Sequence, residues 1–93
     1  MRCDIDPDLL EQLRELGKQE RKEIGELIYA AADAFGQPHL HHGVGVRGLG
    51  HGIYECRRGL KTRQIFERMG NNNLYFHFMG DHAGVKRFLR DHG

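Results

Sequence analysis

Residues 47–68 constrain this chain more than any other stretch, because their alternation suits a β-hairpin and little else. Ile53, Glu55 and Arg57 fall on one parity, with Tyr54, Cys56 and Arg58 on the other, which is the period of a strand. The sequence Arg58-Gly59-Leu60-Lys61 reads as the turn, where Gly59 can take a positive φ without steric cost. Residues 62–68 then return as the second strand. If Arg58 faces Thr62, Arg57 lies opposite Arg63 and Glu55 opposite Ile65. Like charges set directly across a strand pair are destabilising. Such a chain either splays both arginines into water or uses them to grip an anion. The reading depends on register, since a slip of one residue moves Arg63 off the face.

The flanks supply what the hairpin packs on. Met1, Cys3 and Ile5 alternate with Arg2, Asp4 and Asp6, predicting a short half-buried strand. Asp6-Pro7-Asp8 is a helix start: an N-cap, a proline at the first helical position and an acid favourable to the dipole. Leu9, Leu10, Leu13 and Leu16 make one stripe, and Gly17 is placed to end that helix. A second helix is predicted from about Lys18 to Phe35, with Ile24, Leu27, Ile28, Ala31, Ala34 and Phe35 facing inward. Gly36 and Pro38 stop it. Tyr29, at the edge of this stripe, is expected to pack, and so is Tyr54, on the parity opposite Glu55.

Residues 39–47 form a strand or a loop leading into one. Gly70 and Asn71 to Asn73 mark a second turn. Leu74, Phe76 and Phe78 then alternate with Tyr75, His77 and Met79, the most apolar strand of the set and the one expected at the centre. Gly80-Asp81 ends it. Val85, Phe88 and Leu89 form a short amphipathic helix capped by Asp81. The order of strand, two helices, three or four strands and a short helix belongs to the α+β class, in one domain spanning residues 1–93.

Composition narrows the function classes. With 39% hydrophobic and 29% charged residues the 93-residue chain reads as a soluble globular domain. No apolar run approaches the roughly 20 residues of a membrane span, and the start lacks a secretory hydrophobic stretch. Two cysteines, Cys3 and Cys56, suit reduced thiols in a cytoplasmic protein better than a disulfide framework. A net charge of +1 gives nucleic-acid binding no global support. The distribution says more, because Arg47, Arg57, Arg58, Lys61, Arg63 and Arg68 crowd into the hairpin.

Three groupings could carry chemistry. Glu55 and Arg57 share a strand face, and Arg63 joins them in the register above. A carboxylate beside two guanidiniums suits phosphodiester chemistry, the arginines binding phosphate and the glutamate accepting a proton. The same pattern also suits an exposed sheet face with ordinary ion pairs. Among the histidines, His77 points off the last strand beside Tyr75. His82 opens the last helix, where an imidazole could protonate a leaving oxygen. His39, His41 and His42, with His51 nearby, could hold a metal such as zinc, but without a partnered cysteine pair or an HExxH helix adventitious binding is the better reading, and no cofactor is expected. The glycines of Gly43-x-Gly45-x-x-Gly48 are followed by a strand and not a helix, so they mark a turn between strands and not a dinucleotide fingerprint.

Several runs together resemble the RelE/ParE superfamily of toxins from bacterial type II toxin–antitoxin systems, HigB/RelE-like members most closely. They are the first strand, the hairpin ending Phe35-Gly36-x-Pro38, the run Val46-Arg47-x-Leu49 and Gly52-Ile53-Tyr54-Glu55-x-Arg57. Further along they are Thr62-Arg63-x-Ile65-Phe66, and Gly80-x-His82 with Val85 and Phe88-Leu89-Arg90. The resemblance implies a βααβββ fold with a closing helix, a twisted and mainly antiparallel sheet packed on the helical hairpin. It also implies a cytoplasmic, metal-independent endoribonuclease that cuts mRNA, usually on the ribosome, by attack of a 2′-hydroxyl on the adjacent phosphate. In that frame Glu55 is the general base, His82 the general acid, and Arg57 and Arg63 bind the scissile phosphate. Arg47, Arg58, Lys61 and His77 become substrate-binding residues, and a cognate antitoxin is the protein partner. A ParE-like, gyrase-directed toxin without nuclease activity is the alternative, as is an inactive relative that only binds antitoxin.

Overall fold

The computed structural model describes residues 2–35, 45–57 and 62–92. The elements in chain order are β1 (Arg2–Ile5), α1 (Pro7–Glu15), α2 (Lys18–Ala34), β2 (Arg47–Gly50), β3 (Ile53–Cys56), β4 (Arg63–Met69), β5 (Asn73–Gly80) and α3 (His82–His92). The strands form one sheet in the order β1-β5-β4-β3-β2. Every neighbour pair is antiparallel except β1 with β5, which run parallel. The expected α+β architecture and its helical hairpin are therefore present.

The hairpin begins as its capping chemistry dictates. The Asp6 carboxylate accepts the Asp8 N–H at 2.9 Å, with Pro7 at the first helical position. Gly17 sits between the helices, serving as the N-cap of α2. Leu9, Leu13, Ile24, Leu27, Ile28, Ala31 and Ala34 meet Cys56, Phe66, Leu74 and Phe76 from the sheet in the main core. An aromatic row runs through it. Phe35 meets Tyr54 edge-on at 4.9 Å between ring centroids, Tyr54 stacks on Phe66 at 5.6 Å, and Phe66 stacks on Phe76 at 4.9 Å. Phe66 is fully buried at the middle of that row. Phe66→Ala is expected to cost about 3–5 kcal/mol, read as a lower urea midpoint at an unchanged slope.

Several expectations change. Tyr29 does not pack: it is 81% exposed, and Leu10 also faces water. The middle of the sheet is β4, with β5 interior beside it. Strand β3 ends at Cys56, so Arg57 lies just past the last paired residues, Cys56 and Gln64. Phe78 does not share a face with Leu74 and Phe76. A bulge sits where Ile65 pairs with Phe78 but Phe66 pairs with Phe76, which leaves His77 as the extra residue. Alternation is reset there. Met79 returns to the hairpin side, while Phe78 turns to the other face and stacks on Phe88 of α3 at 5.4 Å and 12°.

Cys56 is buried and Cys3 half-buried. Burial pushes the Cys3 thiol above its usual range, and the neighbouring Asp4 carboxylate adds to the effect. Among the described residues no helix is long and apolar enough to cross a membrane. The helix stop at Gly36 and Pro38, the cluster of His39, His41 and His42, and the turn at 58–61 with Arg58 and Lys61 lie outside the described residues.

Candidate functional site

The face of the sheet turned away from the helical hairpin carries the charges. Glu55 pairs with Ile65 in the β3–β4 ladder, the register anticipated from alternation, so Glu55 and Arg63 project from the same face of adjacent strands. Arg63 Nε lies 3.8 Å from one carboxylate oxygen of Glu55, and Arg47 Nε lies 3.5 Å from the other. The Glu55 side chain is 12% exposed and that of Arg63 18%, whereas Arg47 is 70% exposed. Glu55 is thus a shielded carboxylate bridging one sheltered and one exposed guanidinium. Solvent and salt screen the Arg47 contact far more than the Arg63 contact.

Arg47 reaches Glu55 because β2 is irregular. Gly50 pairs with Ile53, yet Gly48 pairs with Tyr54 and Arg47 with Glu55, a shift between Gly48 and Gly50. Had the ladder continued regularly from Gly50, Arg47 would sit opposite Cys56, with its side chain toward the core. Gly50 at φ 95° and Gly52 at φ 77° accommodate the turn that follows. Arg57 is exposed and, among the described residues, makes no ion pair or hydrogen bond. It flanks the Glu55 cluster without joining it.

His82 is the first residue of α3 and is exposed. Arg63 pairs with Gly80, two residues earlier, so His82 belongs to the same end of the sheet. The preceding Asp81 is committed to capping, its carboxylate accepting the Gly84 N–H at 2.8 Å.

Residue spacing did not single out a second polar pair. His77 Nε2 lies 2.8 Å from Glu67 Oε1, and the His77 ring lies against Tyr75 and Phe88. Glu67 shares the parity of Arg63 and Ile65, a signal present in the alternation, but its partner is on the bulged strand. Nearby, the Tyr75 hydroxyl donates to the Asp6 carboxylate at 3.0 Å. That hydrogen bond pushes the Tyr75 phenol up from its usual range, with burial adding to it. Among the described residues no three His, Cys, Asp or Glu side chains are grouped to hold a metal.

The sequence matches no protein-family model and no curated protein. Solved structures do match. The isolated E. coli RelE toxin superposes with a TM-score of 0.61 over 96% of this chain and 96% of that one, at 16% identity. The toxin in the intact E. coli RelBE toxin–antitoxin complex gives 0.63 over 86% of this chain and 94% of that one, again at 16% identity. A doubly substituted E. coli RelE in the free state gives 0.64 over 94% and 88%, at 16% identity. The chain has a RelE-like fold. At this identity the likeness is one of backbone, so the chemistry must be argued from the side chains.

Proposed function

We propose that this RelE-like protein is the toxin of a toxin–antitoxin pair and acts as a metal-independent endoribonuclease on mRNA. The observation carrying this reading is the shielded Glu55 carboxylate flanked by Arg63 and Arg47 on an open sheet face. Phosphoryl transfer from RNA to its own 2′-hydroxyl needs little else. The arginines hold the non-bridging phosphate oxygens and the charge that grows on them. Glu55 takes the 2′-hydroxyl proton as that oxygen attacks phosphorus. The bond to the 5′-oxygen breaks, and His82 gives the leaving oxygen its proton. The products are a cyclic 2′,3′-phosphate and a 5′-hydroxyl end. Arg57, exposed beside the cluster, contributes a further positive charge to the incoming strand.

The antitoxin partner follows from the same reading, since E. coli RelE is found in a complex with its antitoxin. The ribosome is the expected setting for cleavage, as the resemblance to RelE/ParE toxins implies. The test is induced expression without an antitoxin, followed by mapping of RNA ends and plasmid topology. Growth arrest with new 5′-hydroxyl RNA ends is expected, and purified protein should cut ribosome-bound mRNA into fragments ending in a cyclic 2′,3′-phosphate and a 5′-hydroxyl. Relaxed plasmid with intact mRNA would replace this reading with the gyrase-directed one. Growth unaffected and both substrates intact would leave an antitoxin-binding relative.

A further inference from the structure

The face that carries Glu55 also holds a shallow cleft of about 250 Å³ lined by His51, Ile53, Glu67, His77 and Phe88. Ile53 is two residues from Glu55 along β3, about 7 Å away, so the cleft adjoins the arginine cluster. Its walls are constructed by departures from regular structure. Phe88 is backed by Phe78, stacked on it at 12°, and Phe78 faces this way only because of the bulge at His77. Two glycines leave room for the Phe78 ring. A Cβ on Gly80 would lie 2.7 Å from it and one on Gly84 would lie 3.3 Å away. On the far side, the β2–β3 turn holds His51 at φ 55°, a conformation uncommon outside glycine. Bulges of this kind recur beside functional sites, where they re-aim a side chain.

We propose that this cleft is a nucleobase subsite, taking one base beside the phosphate held by Arg47 and Arg63 and preferring a base with an exocyclic amine over uracil. The proposal rests on the ribonuclease reading of the Glu55 cluster. The lining matches how single-stranded RNA is recognised: an aromatic ring to stack on and fixed polar groups to meet a base edge. Glu67 provides the selectivity. His77 holds Oε1 at 2.8 Å, which orients the carboxylate, and Oε2 has no partner among the described residues. A carboxylate is an acceptor only. It pairs with the amine of cytosine or adenine and opposes the carbonyl that uracil presents at the equivalent position.

Uncleavable 2′-deoxy hexamers of cytosine and of uracil test this by fluorescence anisotropy at fixed salt. Both are pyrimidines, so stacking differs little and the amine is the main contrast. The native protein should bind the cytosine hexamer about tenfold more tightly, and Glu67→Gln should bring the two within about twofold. Phe88→Leu, which keeps an apolar wall, should weaken both by a similar several-fold factor and leave their ratio alone. Equal binding of the two by the native protein, a ratio unchanged in Glu67→Gln of native thermal stability, or full affinity in Phe88→Leu would each overturn the subsite. Ribonucleotide hexamers separate the two readings. Selective binding without any cleavage on or off the ribosome defeats the nuclease and leaves the subsite standing. Cleavage indifferent to base defeats the subsite alone.

Discussion

Arg63→Ala is expected to lower RNA cleavage by about 10²–10³-fold, the usual loss when one preorganised donor to a developing charge is removed. Arg63 is the arginine for which this should hold most sharply. Its side chain is 18% exposed, so the guanidinium is sheltered from solvent and held in place before substrate arrives. Arg47 is far more exposed, and its removal should cost roughly tenfold less because an exposed, screened charge is less preorganised. Arg63→Lys should recover only a minor part of the loss, since an ammonium lacks the planar fork that grips two phosphate oxygens. The fold should survive. Glu55 keeps Arg47 as a partner, so the stability change is about 1 kcal/mol, and antitoxin binding should persist. Single-turnover cleavage on ribosomes, with a thermal melt of each variant, measures both quantities. Cleavage by Arg63→Ala at a rate near that of the native protein would remove Arg63 from the chemistry.

The alternation of 53–57 and 62–68 carried the part of this site that is legible without coordinates. Once the turn is read as setting Arg58 opposite Thr62, it places Glu55 opposite Ile65 and puts Arg63 on the same face, because side-chain parity in a regular ladder is a counting problem. The helical hairpin is legible for a similar reason: Asp6-Pro7 starts it, a 3.6-residue apolar stripe fills it, and Gly17 breaks it. Counting fails where a ladder gains a residue. The irregularity between Gly48 and Gly50 delivers Arg47 to Glu55, and the bulge at His77 turns Phe78 away from Phe76. Neither has a residue signature strong enough to displace plain alternation. The parallel β1–β5 contact escapes local reading too, since it joins residues such as Asp4 and Asn73, 69 positions apart. The site's irregular half is thus its less legible half. Arg57 illustrates the converse: parity put it on the face, but β3 ends one residue before it.

Glu55→Gln separates binding from turnover, and the two should move in opposite directions. Glutamine keeps the shape of the side chain but cannot accept the 2′-hydroxyl proton as a carboxylate does, so kcat should fall by about 10²–10⁴-fold. Binding should not follow it down. In the free protein the Glu55 carboxylate lies within ion-pair distance of both Arg47 and Arg63, so an incoming phosphate must compete with it for the same guanidiniums. Removing that negative charge leaves both arginines unopposed. A 2′-deoxy oligonucleotide should therefore bind Glu55→Gln at least as tightly as the native protein, with a steeper fall in affinity as salt is raised. A residue that merely braced the sheet would behave otherwise, because its loss would lower affinity and melting temperature together. Weaker oligonucleotide binding at native thermal stability would show that Glu55 does not compete with phosphate for these arginines. Native kcat in the same variant would transfer the role of base to another group on this face.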